Sequence, residues 1–293
     1  MQVLSSPTEV AALSLNMRRL GKRVAFVPTM GALHAGHLAL IEAAKRHGDW
    51  VVVSIFVNPT QFGPAEDFGR YPRPLEADRQ TCEAGGVDLL FTPSREDVYA
   101  PDHSVYVVEG NLTRGLCGPH RPGHFRGVLT VVAILLNIAL PDVAIFGQKD
   151  AQQARLIQRM VRDLRMATRI LIAPTVREQD GLALSSRNQY LTEEERCRAC
   201  VLSEALRLAE SCYAAGDRDA VQVCARMRAR CEAVVPASAV EYIEAVDFEG
   251  LAPVTTLADG TLLALCVRVG KTRLIDNVIL GRPHMAAAYG LLA

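Results

Sequence analysis

The feature that most constrains this chain is a strand that runs into a glycine-punctuated turn and leaves it as a helix. Lys22-Arg23-Val24-Ala25-Phe26-Val27 is a short, apolar, β-branched run of the kind that forms a buried strand. Pro28-Thr29-Met30-Gly31-Ala32-Leu33-His34-Ala35-Gly36-His37 follows, after which Leu38, Ile41, Glu42 and Lys45 continue with helical spacing. In an open parallel sheet such a turn lies at the carboxyl end of a strand, where ligands bind. Gly31 and Gly36 lack a Cβ, so a ligand can approach the backbone closely. The new helix offers unpaired N–H groups and the positive end of its dipole, which suit phosphate. His34 and His37 stand three apart, on one face of the first turn. Imidazole can donate to phosphate oxygens and can carry charge near neutral pH. A lone histidine there would more simply cap the turn; a pair around Gly36 directly after a strand favours phosphate. Zinc is disfavoured, because no third and fourth ligand sit at familiar spacings and the pair Cys197 and Cys200 is far along the chain.

A chain of 293 residues, 49% hydrophobic, has room for two domains with cores of their own. Its 32 basic and 32 acidic residues balance, so the charge gives no footprint for nucleic acid or an anionic membrane. The eight cysteines are irregularly spaced and read as reduced thiols of a cytoplasmic protein. Met1 to Ser6 has no basic-then-apolar pattern of a signal peptide. The longest apolar stretch, Val128 to Leu140, is shorter than the ~20 residues that span a bilayer.

Taken in order, Ser6-Pro7-Thr8-Glu9 has the form of a capping box and starts a helix that Gly21 ends. A second buried strand, Trp50 to Val57, leads into Asn58-Pro59-Thr60-Gln61-Phe62 on the same side of the sheet as the first turn. The Asn58-Pro59 pair is ordinary turn chemistry, while the Gln61 amide both donates and accepts. Further strands are expected at Val87–Phe91, Ser104–Glu109, Asp142–Phe146 and Thr168–Ile172, with helices at Glu76–Ala84 and Gly127–Asn137. Cys117 to Gly127 is a Gly/Pro/His/Arg loop suited to line a site. Lys149 opens a helix that carries Gln152 and Gln153, and a lysine at a strand-to-helix turn is a point charge for phosphate. Ser185, Ser186 and Arg187 follow Gly181 closely, two hydroxyls and a guanidinium that suit an anion clamp or, in the alternative, a helix cap and a surface charge. A domain boundary falls near Thr175. Beyond it, one long helix from Thr192 to Ala214, a second from Arg218 to Val234, and strands at Val240–Phe248, Thr261–Val269 and Arg273–Ile279 make a small α+β unit. Cys197 and Cys200 are assigned to helix packing. Gly270-Lys271-Thr272 is not a P-loop, because Leu265 stands where the motif needs a glycine.

His34-Ala35-Gly36-His37 resembles the HxGH signature of the HIGH superfamily of nucleotidylyl transferases and class I aminoacyl-tRNA synthetases. The longer string, Pro28-Thr29-Met30-Gly31 with Leu33-His34 and Gly36-His37, is similar to one branch of it, the pantoate–β-alanine ligase (pantothenate synthetase) family. Asn58 to Phe62, Arg121 to Val128, Phe146 to Asp150 and the KMSKS-like Gly181 to Asn188 resemble later motifs of that family, and Asp67 to Arg73 its mobile flap. The chain departs in having Gln148 where Glu is commoner and Leu184 where Met is usual.

The resemblance implies a Rossmann-like α/β parallel sheet with helices on both faces over residues 1–175, and a smaller α+β C-terminal lid over 176–293. It implies an ATP site made of Pro28, Met30, Gly31, Ala32, Leu33, His34, Ala35, Gly36 and His37, then Gly147, Gln148, Lys149 and Asp150, then Val176, Leu184, Ser185, Ser186 and Arg187. His34, His37, Lys149 and Arg187 would be catalytic, and Gln61, Gln153 and Asn58 would hold pantoate and β-alanine. The implied reaction joins pantoate to β-alanine through a pantoyl adenylate, consuming ATP and yielding AMP, pyrophosphate and pantothenate. Mg²⁺ would ride on the phosphates, with no dedicated protein cage. The resemblance also implies a homodimer in the cytoplasm, with no nucleic-acid or membrane partner. Two rivals are another HxGH nucleotidylyl transferase, which would have no need for the Gln61 and Gln153 pair, and a tRNA-binding module, which the neutral charge disfavours.

Overall fold

The computed structural model describes residues 1–64 and 66–281. In chain order the first half contains β1 (Gln2–Leu4), α1 (Pro7–Arg19), β2 (Val24–Thr29), α2 (Ala35–His47), β3 (Trp50–Ile55), α3 (Leu75–Ala84), β4 (Leu89–Phe91), α4 (Arg95–Val98), α5 (Cys117–His120), α6 (His124–Ala139), β5 (Val143–Gly147), α7 (Ala151–Asp163) and β6 (Arg169–Ala173). The strands form one sheet in the order β1-β4-β3-β2-β5-β6, and every pair is parallel. The chain moves outward from β2 through β3 to β4, then crosses back to lay β5 on the other side of β2. The order therefore reverses between β2 and β5, and the crevice at their carboxyl ends is where an open α/β sheet takes ligands.

Strand side chains alternate between two cores. Ala25, Val27, Val51, Val53, Leu90 and Ile145 pack against Ile41 and Ala44 of α2 and Cys82 of α3. Phe26, Val52, Phe91, Phe146 and Ile172 face α6 and α7, among them Leu129, Leu136, Leu156 and Ile157. With both faces covered, these strands read as unbroken apolar runs. Each fully buried large side chain contributes roughly 1.5–3 kcal/mol of burial free energy.

After β6 come α8 (Glu193–Ala199), α9 (Val201–Ala214) and α10 (Ala220–Glu232), then β7 (Val240–Asp247), β8 (Thr261–Val269) and β9 (Thr272–Ile279). These three strands form an antiparallel sheet in the order β7-β8-β9. Leu263, Leu265 and Val267 turn towards Leu202, Leu206, Val223 and Met227 on α9 and α10. Their neighbours Leu262, Ala264 and Cys266 turn the other way and join the larger core of the first half. Thus β8 is buried on both faces although its sheet is antiparallel.

The fold departs from the sequence pattern at several elements. Strand β1, not anticipated, pairs with β4 at the sheet edge. Ser104–Glu109 is not a strand: it joins no ladder among the described residues, and its Val107 N–H donates to the Thr130 hydroxyl at 3.0 Å. The helix expected from Thr192 to Ala214 is two, broken at Cys200. Cys197 is exposed, so only Cys200 has the expected packing role. Ser6 accepts from the Glu9 N–H at 3.3 Å, half of the expected box. Lys149 lies in a single 3-10 turn, Gln148–Asp150, ahead of α7. No described helix is long and apolar enough to cross a membrane. The last twelve residues of the expected 176–293 unit lie outside the described residues.

Candidate active site

The turn after β2 is held from both sides. Gly31 and Ala32 adopt positive φ of 81° and 50°, which aims their successors' N–H groups inward. Asp78 of α3, 2% exposed, receives them: its two oxygens accept from the backbone N–H of Ala32 at 2.8 Å and of Leu33 at 2.7 Å. A Cβ on Gly31 would stand 2.8 Å from the Asp78 carboxylate and 3.0 Å from Ile55, so that position needs glycine. Thr29 donates to the Ser54 carbonyl and accepts from the Gly31 N–H.

His34 is the N-cap of α2, and its Nδ1 accepts from the Gly36 N–H at 3.1 Å. The Nδ1 of His37 accepts from the His34 N–H at 3.3 Å, and the ring centroids are 4.2 Å apart. A Cβ on Gly36 would meet the His34 ring at 2.9 Å. Since both Nδ1 atoms accept, both Nε2 atoms carry the proton. Burial, reinforced by the Lys149 charge, pushes His34 down to about 4. Burial and the neighbouring His34 push His37 down to about 3. Both rings are therefore neutral donors at physiological pH.

The loop after β3 is equally fixed. Asn58, 1% exposed, spends its amide on the Gln61 side chain (3.0 Å) and the Gly127 carbonyl (3.2 Å), and its oxygen accepts from Tyr99 (2.8 Å) and Thr60 (2.9 Å). The structure thus makes Asn58 the holder of Gln61, with none of its amide atoms left for a ligand. The Gln61 amide nitrogen lies 3.0 Å from the Met30 sulfur. His124 bridges the Gln61 carbonyl (2.8 Å) and Arg121 (2.8 Å). Burial and the Arg121 charge push its pKa down to about 4. Arg121 is in turn gripped by Glu66 at 2.7 and 2.5 Å. Arg121 and His124 of the Gly/Pro/His/Arg segment therefore line the site, although the segment is not one loop: Cys117–His120 form α5 and His124 opens α6.

After β5, Asn277 of β9 donates to the carbonyls of Gln148 (2.9 Å) and Lys149 (3.0 Å) and clamps that turn. Lys149 Nζ is 3.9 Å from the Asp150 carboxylate. Gln152 and Gln153, expected on one helix face, part ways. Gln152 is buried and bonds the Cys117 N–H and the carbonyls of Leu112 and Gly115, whereas Gln153 lines the cleft. From beyond β6, Ser186 donates to the Ala32 carbonyl at 3.1 Å, joining the KMSKS-like segment to the first turn. The Ser185 hydroxyl accepts from the Arg187 N–H. The Arg187 guanidinium forms a two-pronged ion pair with Asp67 at 2.8 and 2.9 Å and lies 5.6 Å from the Tyr71 ring centroid. Burial would raise the Asp67 carboxyl, but its bonds to Arg187 hold it below the usual range.

One cleft with about 1400 Å³ of empty space gathers most of the expected residues: Pro28, Met30, His34, Gly36, His37, Asn58, Gln61, Gly147, Lys149, Asp150, Gln153, Val176, Leu184, Ser185, Ser186 and Arg187. Gly31, Ala32, Leu33, Ala35 and Gln148 do not line it. The Ala32 and Leu33 N–H groups belong to Asp78, that of Gly31 to Thr29, and the Gln148 side chain to Asn277 (3.3 Å). Ala35 is exposed outside it. Residues without a sequence signal prove essential to its shape: Asp78, Tyr99, Asn277, and the Arg177–Asp276 pair (2.6 and 3.0 Å) that ties the linker after β6 to β9. No group of three His, Cys, Asp or Glu side chains poised for a metal occurs among the described residues.

The N–H groups of Gly31 to His34, Gly36 and His37, expected to be free at the start of α2, are spent within the turn, on Thr29, Asp78, His34 and His37, so the turn offers its imidazole donors instead. A parallel sheet with such a turn at its switch point, faced by cations from two further turns, defines a nucleotide-binding α/β enzyme. Comparison with known proteins makes this particular. The model of the family described as pantoate-beta-alanine ligase matches residues 2–279, and the chain belongs to that family. A pantothenate synthetase of Thermotoga neapolitana is 50% identical over 284 residues, 96% of this chain and 100% of that protein. The crystal structure of the Thermus thermophilus pantothenate synthetase superposes with a TM-score of 0.90 at 44% identity, covering 95% of this chain and 99% of that one. A Francisella tularensis pantoate-beta-alanine ligase, solved in complex with beta-gamma ATP and beta-alanine, gives 0.78 at 33% identity, with 97% and 99% covered.

Proposed function

We propose that this enzyme condenses pantoate with β-alanine in two steps through a pantoyl adenylate, with ATP as co-substrate. The pantoate carboxylate attacks the α-phosphorus, the bond to the β-phosphate oxygen breaks, and pyrophosphate leaves. The β-alanine amine then attacks the acyl carbon, AMP departs with the acyl oxygen, and the amine loses a proton. The observation that carries this reading is the bond from Ser186 to the Ala32 carbonyl. It brings the two hydroxyls and Arg187 onto the turn that holds His34 and His37, so donors approach a phosphate chain from both walls.

Negative charge builds on the bridging oxygen and the leaving phosphates, and preorganised donors stabilise it most. Lys149 supplies a full charge there. His34 and His37 supply neutral Nε2–H groups, which hydrogen-bond without needing to be protonated first. Gln61 and Gln153 hold the hydroxy acid at the other end, with Asn58 fixing the first of them. A divalent cation fits as an ion borne by the phosphates: among the described residues Asp150 is the one carboxylate on the lining of the main cleft, half-exposed, and it would meet Mg²⁺, which neutralises phosphate charge when bound.

The test is pyrophosphate release in single turnover with ATP and pantoate, with and without β-alanine. Release without β-alanine is expected; strict dependence on β-alanine would defeat the adenylate. His37→Ala should depress this step at least tenfold and ATP affinity much less, because the contact is made mainly in the transition state. Supplied with pantoyl adenylate and β-alanine, the same variant should react near the wild-type rate. Equal loss in the bypass would move the histidine from adenylation to aminolysis or to the fold.

A further inference from the structure

A second cleft opens beneath the β8–β9 hairpin and borders the first. Lys149, Asp150, Ser185 and Arg187 line both. The second cleft is lined by seven Lys and Arg side chains against three carboxylates, in a chain whose formal net charge is zero. Each of those carboxylates faces one cation of the cleft, Glu66 with Arg121, Asp67 with Arg187 and Asp150 with Lys149, which leaves four of the seven cations unpaired by the lining. Glu241 stands behind the hairpin and fixes Arg273 at 2.8 Å and Arg268 at 2.8 Å, which makes them rigid donors. Lys271, at the hairpin turn, has no carboxylate partner among the described residues. A cleft so one-sided in charge concentrates anions.

We propose that this cleft is the exit site for inorganic pyrophosphate, and that Asp67 closes it behind the departing anion by retaking Arg187. The proposal rests on the adenylation reading above, because only that step makes pyrophosphate. The leaving group is freed beside Lys149 and Arg187, the residues at the border of the two clefts. The Asp67 carboxylate offers Arg187 the same two-pronged geometry that a phosphate offers. Asp67 and the anion therefore compete for one guanidinium. Lys271 and the fixed pair Arg268 and Arg273 draw the anion outward, away from the adenylate.

The experiment is calorimetric titration of the full-length protein with inorganic pyrophosphate, paired with the release assay. Lys271→Gln should weaken pyrophosphate binding about threefold, the scale of one exposed charge, and added salt should shrink the difference. Lys271→Glu should weaken it further. Asp67→Asn should do the opposite and tighten binding, because the competitor is gone. Lys271 is on the surface, so these substitutions do not threaten the core. Wild-type affinity in both Lys271 variants would overturn the site, and weaker binding in Asp67→Asn would overturn the competition. Wild-type protein that binds pyrophosphate but never releases it from ATP would defeat the adenylation reading, a result separate from either of these.

Discussion

The two walls of the cleft differ in what holds them. On the HxGH side, the backbone is fixed by a buried carboxylate, two positive-φ residues and imidazoles that accept from neighbouring N–H groups. Nothing there has to move for a ligand to be met. On the facing side, Arg187 is held by Asp67 and Arg121 by Glu66, both from the segment after β3 and both partly exposed. These are charges satisfied by other charges, and a phosphate can take over either cation. A site built this way presents a rigid template on one wall and exchangeable counterions on the other.

The largest effect should come from the charge between the walls. Lys149→Ala is expected to slow adenylate formation by roughly 3 kcal/mol of barrier or more, the scale of one preorganised donor, with an unchanged melting temperature. Normal single-turnover adenylation would remove Lys149 from the chemistry.

The comparison itself is sharpest in a matched pair. Asp78→Ala strands two backbone N–H groups and should cost roughly 3 kcal/mol of stability. Asp67→Ala removes a partly exposed ion pair and should cost less than about 1 kcal/mol. Denaturant unfolding of the two variants decides it, and equal losses would erase the distinction between the walls. Adjacent glutamines offer a second matched pair. Gln153→Ala should raise the KM for pantoate about tenfold, by leaving a substrate group unpaired, with little change for ATP. Gln152→Ala should lower stability instead, since its amide serves three backbone groups.

Around neutral pH the smallest effect is that of pH itself. His34, His37 and His124 titrate near 4, 3 and 4 in the folded chain and near 6.5 when unfolded. Between pH 6.5 and about 4 the unfolded state binds more protons, so stability is full above 6.5 and declines as pH falls through that window. Melting temperatures across it should follow that slope. The adenylation rate should show no limb from these rings between pH 6 and 8; one centred near 6.5 would mean that they work as imidazolium.

The parallel strands, the phosphate-receptive turn and the cations are legible in the sequence because each is local. An apolar run, a glycine at a fixed offset and a lysine after a strand need no partner to be read. Short β1 leaves no sequence signal because three edge residues have no periodicity, and Ser104–Glu109 misleads because weak alternation says nothing about whether a ladder partner exists. Asp78 carries no signal either: in Glu76-Ala77-Asp78-Arg79-Gln80 it looks like one more solvated charge on a helix. Only the placement of α3 against the turn after β2 makes it the acceptor that shapes the HxGH turn. The same holds for Asn58, Gln152 and Asn277, whose amides are consumed by backbone groups between 35 and 129 residues away. The sequence by itself determined the class of fold and most of the residues that gather at the strand ends, since hydrophobic period and turn residues act within a few positions. Tertiary structure alone decided which polar side chains face ligand and which are spent holding the frame, because a buried hydrogen bond joins groups that only the folded chain brings together.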